Sequence, residues 1–470
     1  MLDRLDANRT IGTLVQSVMS AIRDRIAARA LAPGARLPSV RKLAETMDVS
    51  KSTVVEAYER LCAEGAIVSR RGSGFFVAGA TRPLSLKAIG PQIDRVIDPI
   101  WLTLQSFQAP ADMLKPGSGW LPDAWMPDVG IQRAFRQMAR EPTALRISYD
   151  RPLGFAPLRQ YLARRLGERG IVAEPDQIIL VDSSTQAVDL LLRFLIEPGT
   201  TVLVDDPCYY NFHALLRAHR ANVVGVPFTP HGPDLDAFAT ALKTHRPRLY
   251  LTNSALHNPT GASLSAATVH RVLKLCEAHD TIIIEDDIFA DFESTPTPRL
   301  AGFDGLDRVI LTGGFSKTIS AAMRCSFIAV KGDWIEPLID LKLATSLGNN
   351  HVAAAFVHNV LTDGGYRRHL DSVRAKLSNA MGETVRRLRA LGLTPLCEPQ
   401  GGMFLWAELP DGLDSAAIAR HGLQNNVLFA PGNVFSQAQN ARSFLRFNVA
   451  RSLEPQVCHV LEAGMKSQSQ

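Results

Sequence analysis

From Asp176 onward the chain alternates short apolar runs with longer amphipathic ones, and this alternation constrains its fold more than any other feature. QIILV precedes TQAVDLLLRFL, TVLVDD precedes NFHALLRAH, RLYLTNS precedes AATVHRVLKLCEAH, and TIIIEDD follows. Apolar runs of strand length separated by helix-length segments call for an α/β body: a mostly parallel sheet covered by helices. Ligands of such sheets bind beyond the carboxyl ends of the strands. The residues that close each run are where chemistry is expected.

Those residues are polar in a particular order. Ser183-Ser184-Thr185-Gln186 ends one run and opens a helix, whose free N–H groups and positive dipole suit a phosphate. DDPCYY ends the next run, and its Tyr209 can stack on a flat ring. In HNPTG, Asn258 can donate to a phenolic oxygen. Asp286 closes the run IIIEDD, where a buried carboxylate needs a cation; a protonated pyridine nitrogen supplies one. GGFSKTISAAMR supplies Lys317, an amine that forms a Schiff base with an aldehyde once its pKa is lowered. Ser316 and Arg324 of the same run can hold a phosphate. Asn, Asp, Lys and Arg in this order, 28 residues from Asn258 to Asp286 and 31 from Asp286 to Lys317, read as a pocket for pyridoxal 5′-phosphate (PLP).

A second unit precedes this body. Ile11, Leu14, Val15, Val18, Met19, Ile22 and Ile26 fall at helical spacing. After the turn LAPGARLPS, Ser39 can cap a helix VRKLAETM, and Ser50 a third helix that ends at Gly65. Two short helices around a tight turn form a helix-turn-helix, whose second helix enters the major groove. Its groove side is expected at Ser50, Lys51, Ser52 and Thr53, with Val54, Val55, Tyr58 and Leu61 facing inward. The runs AIVSR and GFFVA, joined by Arg71-Gly72-Ser73, read as a wing whose Arg70, Arg71 and glycine backbone can reach phosphates or the minor groove. Residues 10–78 are thus expected to be a winged helix-turn-helix, 79–112 a linker with one helical piece, and 113–470 the body. The charge agrees. Through Ala80 there are twelve Lys/Arg against eight Asp/Glu, so the head carries +4 of the net +5.

The six cysteines have no CxxC spacing, which gives no reason to expect a metal or a redox dithiol. The charged N-terminus does not resemble a signal peptide, and no apolar stretch reaches the ~18–20 residues of a membrane span. A cytoplasmic protein is expected.

PGARLPSVRKLAETMDVSKSTVVEAYERLCAEGAIVSRRGSGFFVA resembles the GntR-family DNA-binding domain. That resemblance implies DNA contacts from Arg41, from Ser50, Lys51 and Thr53, and from the wing glycine, Gly72. The body is similar to fold-type-I aminotransferases over 113–470, with further matches in SYDRPLGFAPLRQYLARRLGERG, PQGGMFLWAELP and LFAPGNVF. This implies a small C-terminal subdomain and, in SFLRFNVA, an arginine for a ligand carboxylate, Arg446. Head and body together resemble the MocR subfamily of GntR regulators. The resemblance implies a PLP-binding homodimer, each pocket completed by the neighbouring subunit, that senses a B6 vitamer or an amino-group ligand.

Three positions depart from the family pattern. Ile288 and Phe289 stand where the family has a tyrosine, so the phenolic oxygen loses a hydroxyl donor. Ser183 replaces a phosphate-turn glycine, and Gly314 a phosphate-binding serine. These departures favour weaker phosphate binding and slow transamination. The expectation is a transcriptional regulator of vitamin B6 or amino-acid genes acting on operator DNA. Its rivals are a working aminotransferase with an appended head and a constitutive DNA-binding protein whose body only dimerises.

Overall fold

The computed structural model describes residues 13–27, 31, 34–70, 73–78, 99–143, 147–410 and 412–468. The chain divides into two compact units, Met1–Ser85 and Leu86–Gln470.

In the first unit, α1 (Leu14–Ala27), α2 (Val40–Met47) and α3 (Lys51–Ala63) precede the antiparallel pair β1 (Ile67–Arg70) and β2 (Gly74–Val77). The Ser39 side chain accepts from the Lys42 N–H, and the Ser50 side chain from the Thr53 N–H at 3.1 Å, so both helices start on hydroxyl caps. Asp48, in the left-handed region, makes the turn between α2 and α3. Val18, Ile22, Leu43, Val54, Tyr58, Leu61, Ile67 and Val77 form the core. One expectation fails: Val55 is exposed, and Ala57 takes the inward place. Val54, Ala57, Tyr58 and Leu61 follow the three- and four-residue steps of one helix face, and Val55 lies off that face. The Tyr58 hydroxyl donates to the Pro38 carbonyl at 2.8 Å, tying α3 to the turn before α2.

The second unit is built on an eight-stranded sheet. Its strands are β3 (Ile178–Val181), β4 (Thr201–Asp206), β5 (Asn222–Thr229), β6 (Gly232–Pro233), β7 (Leu249–Thr252), β8 (Ile282–Asp286), β9 (Val309–Gly314) and β10 (Ser326–Ala329). They lie in the order β3-β10-β9-β8-β7-β4-β5-β6. From β9 through β8, β7 and β4 to β5 every pairing is parallel, while β10 and β6 run antiparallel to their neighbours. Strands β3, β7 and β8 are buried on both faces, which is why they read as continuous apolar runs and not as alternating ones.

A smaller antiparallel sheet follows, from β11 (Thr394–Pro395), β12 (Phe404–Glu408), β13 (Ala430–Pro431) and β14 (Phe444–Asn448), in the order β11-β12-β14-β13. The segment after Asp112 joins it: Leu114 N–H donates to Asn426 O, and Gly117 N–H to Leu428 O at 2.8 Å. A Cβ on Gly117 would stand 2.6 Å from the Ala430 nitrogen, so this approach needs glycine. The helix Pro99–Gln108 falls within the stretch expected to be linker, and its Leu102 packs with Tyr210, Trp406 and Phe435. No described helix is long and apolar enough to cross a membrane.

Candidate cofactor site and nucleic-acid interface

The run Glu285-Asp286-Asp287 shows how strand geometry sorts three neighbouring carboxylates. Side chains alternate along an extended chain, so Glu285 and Asp287 point away from Asp286. Glu285 is fully buried and accepts the N–H groups of Leu300 and Ala301 at 2.9 and 2.8 Å, capping the helix Leu300–Asp304. Asp287 pairs with Arg299 at 2.8 Å. Asp286 alone lines a cavity of about 470 Å³ beyond the carboxyl edge of the sheet.

All nine body residues singled out from the sequence line this cavity: Ser184, Thr185, Tyr209, Asn258, Asp286, Ser316, Lys317, Arg324 and Arg446. Ser184 and Thr185 open the helix after β3, Tyr209 follows β4, Asn258 follows β7, Asp286 ends β8, Ser316, Lys317 and Arg324 lie between β9 and β10, and Arg446 comes from the small sheet. The cavity also takes residues that the sequence did not single out. Asn253, just after β7, donates to the Asp286 carbonyl at 2.7 Å. Gly119 and Trp120 come from the segment beside the small sheet, and Thr103 and Phe107 from the helix Pro99–Gln108.

Burial raises the Asp286 carboxyl to about 6, with Asp287 adding to the rise and hydrogen bonding to Asn253 opposing it. The Ile288 N–H reaches its Oδ1 at 3.3 Å. Burial lowers the Lys317 amine to about 8; the Arg446 guanidinium lowers it further and Asp286 opposes. Lys317 Nζ donates to the Gly119 carbonyl at 2.8 Å and lies 4.9 Å from the Trp120 ring centre. Arg446 is 1% exposed. It donates to Asn258 Oδ1 at 2.9 Å and to the Gly117 carbonyl at 2.6 Å, and its Nε has no partner. Burial lowers its pKa to about 10. Among the described residues no carboxylate pairs with Arg446, so a buried cation faces the cavity without a counter-charge.

Two sequence departures acquire a structural reason. Ser183 is extended at φ −166° and caps the helix Ser184–Leu195 by accepting the Gln186 N–H at 3.1 Å. The turn therefore needs no glycine, and serine serves as its cap. At Gly314 a Cβ would stand 2.2 Å from Ser326 Oγ and 3.0 Å from Ser184 Oγ, so the space of a side chain is already filled by two hydroxyls. At the third, Phe289 is buried against Phe404, 5.3 Å between ring centres, and offers no hydroxyl.

In the head, Ser50, Lys51 and Ser52 are exposed at the start of α3 and Thr53 is half-buried. Arg41 is exposed and pairs with Glu45 at 3.1 Å. An exposed pair of this kind holds weakly, which leaves the guanidinium exchangeable for a phosphate. Arg71 and Gly72 lie outside the described residues.

A family model for class I and II aminotransferases matches residues 131–463, and one for bacterial regulatory proteins of the gntR family matches residues 14–77. The chain belongs to the class I and II aminotransferase family. Its head is of the gntR family, so the two units together have the MocR arrangement. An HTH-type transcriptional regulator of Escherichia coli, YdcR, is 29% identical over 448 residues, covering 93% of this chain and 94% of that one. The 2-aminoadipate transaminase of Thermus thermophilus is 29% identical over 335 residues, covering 67% of this chain and 80% of its own. The crystal structure of LysN, an α-aminoadipate aminotransferase from Thermus thermophilus complexed with N-(5′-phosphopyridoxyl)-L-leucine, superposes with a TM-score of 0.71 at 26% identity, covering 76% of this chain and 93% of that one.

Class I and II aminotransferases use PLP, and the lining here fits it. Asp286 is a buried carboxylate with Lys317 as a cationic neighbour, and the start of the helix Ser184–Leu195, with Ser184 and Thr185, lines the same cavity as Arg324. No group of His, Cys, Asp or Glu among the described residues could hold a metal ion.

Proposed function

We propose that this protein is a PLP-dependent transcriptional regulator, with operator DNA read by the head and a B6 vitamer or amino-group ligand sensed in the body. The observation that carries the reading is the make-up of the cavity wall. Lys317, Asp286 and Arg446 share one cavity with Thr103 and Phe107, and the helix bearing the latter two is the first described element after the connector. A ligand there meets the cofactor residues and the helix Pro99–Gln108 at once.

In this reading Asp286 holds the pyridine nitrogen, Ser184, Thr185, Ser316 and Arg324 hold the phosphate, and Tyr209 covers the ring. Asn258 faces the phenolic oxygen, Lys317 meets the aldehyde, and Arg446 takes the ligand carboxylate. When bound, PLP supplies an aldehyde that captures amines and a ring that withdraws electrons. Lys317, lowered to about 8, is neutral in a useful fraction near neutral pH and so can act as nucleophile. A ligand shifts the domains only by as much as it prefers one arrangement, and DNA and ligand must affect each other equally.

A homodimer completes the proposal. Thr185 and Arg324 are exposed at the phosphate end of the cavity. Ile147 and Tyr149, 77% and 84% exposed, stand on the segment ISYDRPLG, and Ile100, Leu104 and Phe107 form an exposed stripe on one helix face. Apolar surface of this kind calls for a cover, and a second copy is the cover proposed. Two heads then read two half-sites.

The second reading, a working aminotransferase, draws on the same intact Asp286, Lys317, Arg324 and Arg446 and on the likeness to 2-aminoadipate transaminase. Binding to DNA from upstream of its own gene separates the two. Sequence-specific binding that responds to PLP is expected, whereas PLP binding without specific DNA binding favours the enzyme.

A further inference from the structure

Behind the cofactor cavity lies a buried polar chain that the site described above does not use. Asp205, near the end of β4, is fully buried. Its carboxylate accepts the Tyr250 hydroxyl at 2.5 Å and the Thr252 hydroxyl at 2.6 Å, both from the adjacent β7. His257, also fully buried, stacks on Phe228 with ring centres 3.8 Å apart. Its Nε2 has no hydrogen-bond partner among the described residues, and the Asp205 carboxylate, 3.4 Å away, attracts it as a charge. Its Nδ1 lies 2.9 Å from Thr260 Oγ1, which accepts the Ala262 N–H at 3.2 Å. A carboxylate beside Nε2 favours the proton on that nitrogen, so in the neutral ring Nδ1 accepts from the Thr260 hydroxyl.

Asn258 sits inside the turn that these contacts close. The His257 N–H donates to the Ala262 carbonyl at 2.8 Å, and the Gly261 N–H to the His257 carbonyl at 2.6 Å. The Asn258 side chain leaves this turn for the cavity and accepts from Arg446. An imidazole held at both nitrogens and on one ring face leaves the turn little room to rotate. We propose that His257 is a positioning residue: held by Asp205, Thr260 and Phe228, it fixes the turn that aims the Asn258 carboxamide, its oxygen toward Arg446 and its N–H toward the phenolic oxygen of PLP. The proposal rests on the cofactor reading above and goes one layer behind it. Asp205, His257 and Thr260 are fully buried within one protomer, so a second copy covering the cavity does not reach them. Loss of the imidazole should then act on the cofactor through Asn258 alone.

The test measures PLP affinity of the full-length apoprotein, and the visible band of lysine-bound PLP, in wild type, His257→Leu, His257→Gln and Thr260→Val, each with Asn258 intact and with Asn258→Ala. With Asn258 intact, His257→Leu is expected to weaken PLP binding by ~10-fold and to move the band. In the Asn258→Ala background the same substitution is expected to change the affinity by less than ~2-fold. His257→Gln keeps an N–H donor to face Asp205 and is expected to recover most of the loss. Thr260→Val has nearly the same shape and is expected to act in the same direction as His257→Leu, again only with Asn258 intact; it carries the test if His257→Leu does not fold. Equal losses in both backgrounds overturn the proposal while the cofactor reading stands. So do wild-type affinity and band in His257→Leu and Thr260→Val when their melting temperatures have fallen. Wild type that takes up no PLP contradicts the cofactor reading, and the positioning role falls with it.

Discussion

Arg446 Nη1 donates to Asn258 Oδ1 at 2.9 Å, joining the small sheet to the cofactor edge of the large one. The bond sets both partners. With its oxygen taken, the Asn258 amide can offer only N–H groups to the cavity. Nη1 and Nη2 each donate one N–H, to Asn258 and Gly117, while Nε has no partner; in the function proposed above, a ligand carboxylate is the acceptor for the donors that remain. Removing the guanidinium should therefore damage ligand binding more than folding. Arg446→Met is expected to weaken amino-acid binding by ~100-fold while amines without a carboxylate keep their affinity, measured by spectral titration of the PLP-loaded protein. Equal losses for both ligand classes contradict the assignment.

The Lys317 amine should set the pH dependence of PLP uptake. Only its neutral form attacks an aldehyde, and burial places its pKa at about 8. The second-order rate of PLP binding to apoprotein is expected to rise with pH and level off above about 8, where an ordinary lysine would still be rising. Asp286→Asn removes the charge that opposes this lowering, so the midpoint should move to lower pH. Stopped-flow absorbance checks both.

Asp286 should make the apoprotein less stable at neutral pH. Its folded pKa of about 6 lies above the ordinary 3.8, so the folded state binds more protons between those values, and stability falls as pH rises through that window. Asp286→Asn is expected to stabilise the apoprotein at pH 7 by on the order of 2 kcal/mol while weakening its hold on PLP. Thermal melts of apo and PLP-loaded protein should show opposite signs.

Gly314→Ser tests whether the missing serine matters. The new Cβ would meet Ser326 Oγ at 2.2 Å, so the substitution is expected to cost roughly 1–3 kcal/mol of stability and not to strengthen PLP binding. Tighter PLP binding in this variant would contradict the packing argument.

Lys51→Ala and Arg41→Ala should each weaken operator binding and reduce its log–log salt slope by about 1, because each contributes one cation toward the phosphates. Fluorescence anisotropy at several salt concentrations measures the slope.

Much of the site was legible because the fold places it at strand ends. Asp286 and Lys317 follow apolar runs that can only be central strands, and Asn258 and Ser184 sit at the matching turns of neighbouring runs. Asn253 carried a usable signal, an amide directly after a buried strand, which went unread beside Asn258. Gly119 meets Lys317 across 198 residues of chain, and no local pattern reports such a contact. Thr103 and Phe107 lie on the helical piece expected within the linker, but nothing in that local pattern points to the cavity wall. Ser183 and Gly314 looked like losses of phosphate contacts, since the sequence cannot show that a cap or a neighbouring hydroxyl fills the space. Val55 failed for a simpler reason: an apolar residue in a short helix does not by itself reveal which face is inward.

The central claim is that cofactor chemistry in the body governs DNA binding by the head. The most direct test measures affinity for an operator fragment with and without PLP, in wild type and in Lys317→Ala, while the visible absorbance of lysine-bound PLP is recorded. PLP should change the specific affinity of wild type and leave that of Lys317→Ala unchanged. Specific DNA binding that ignores PLP in wild type, or no specific binding while PLP is bound, would contradict the account.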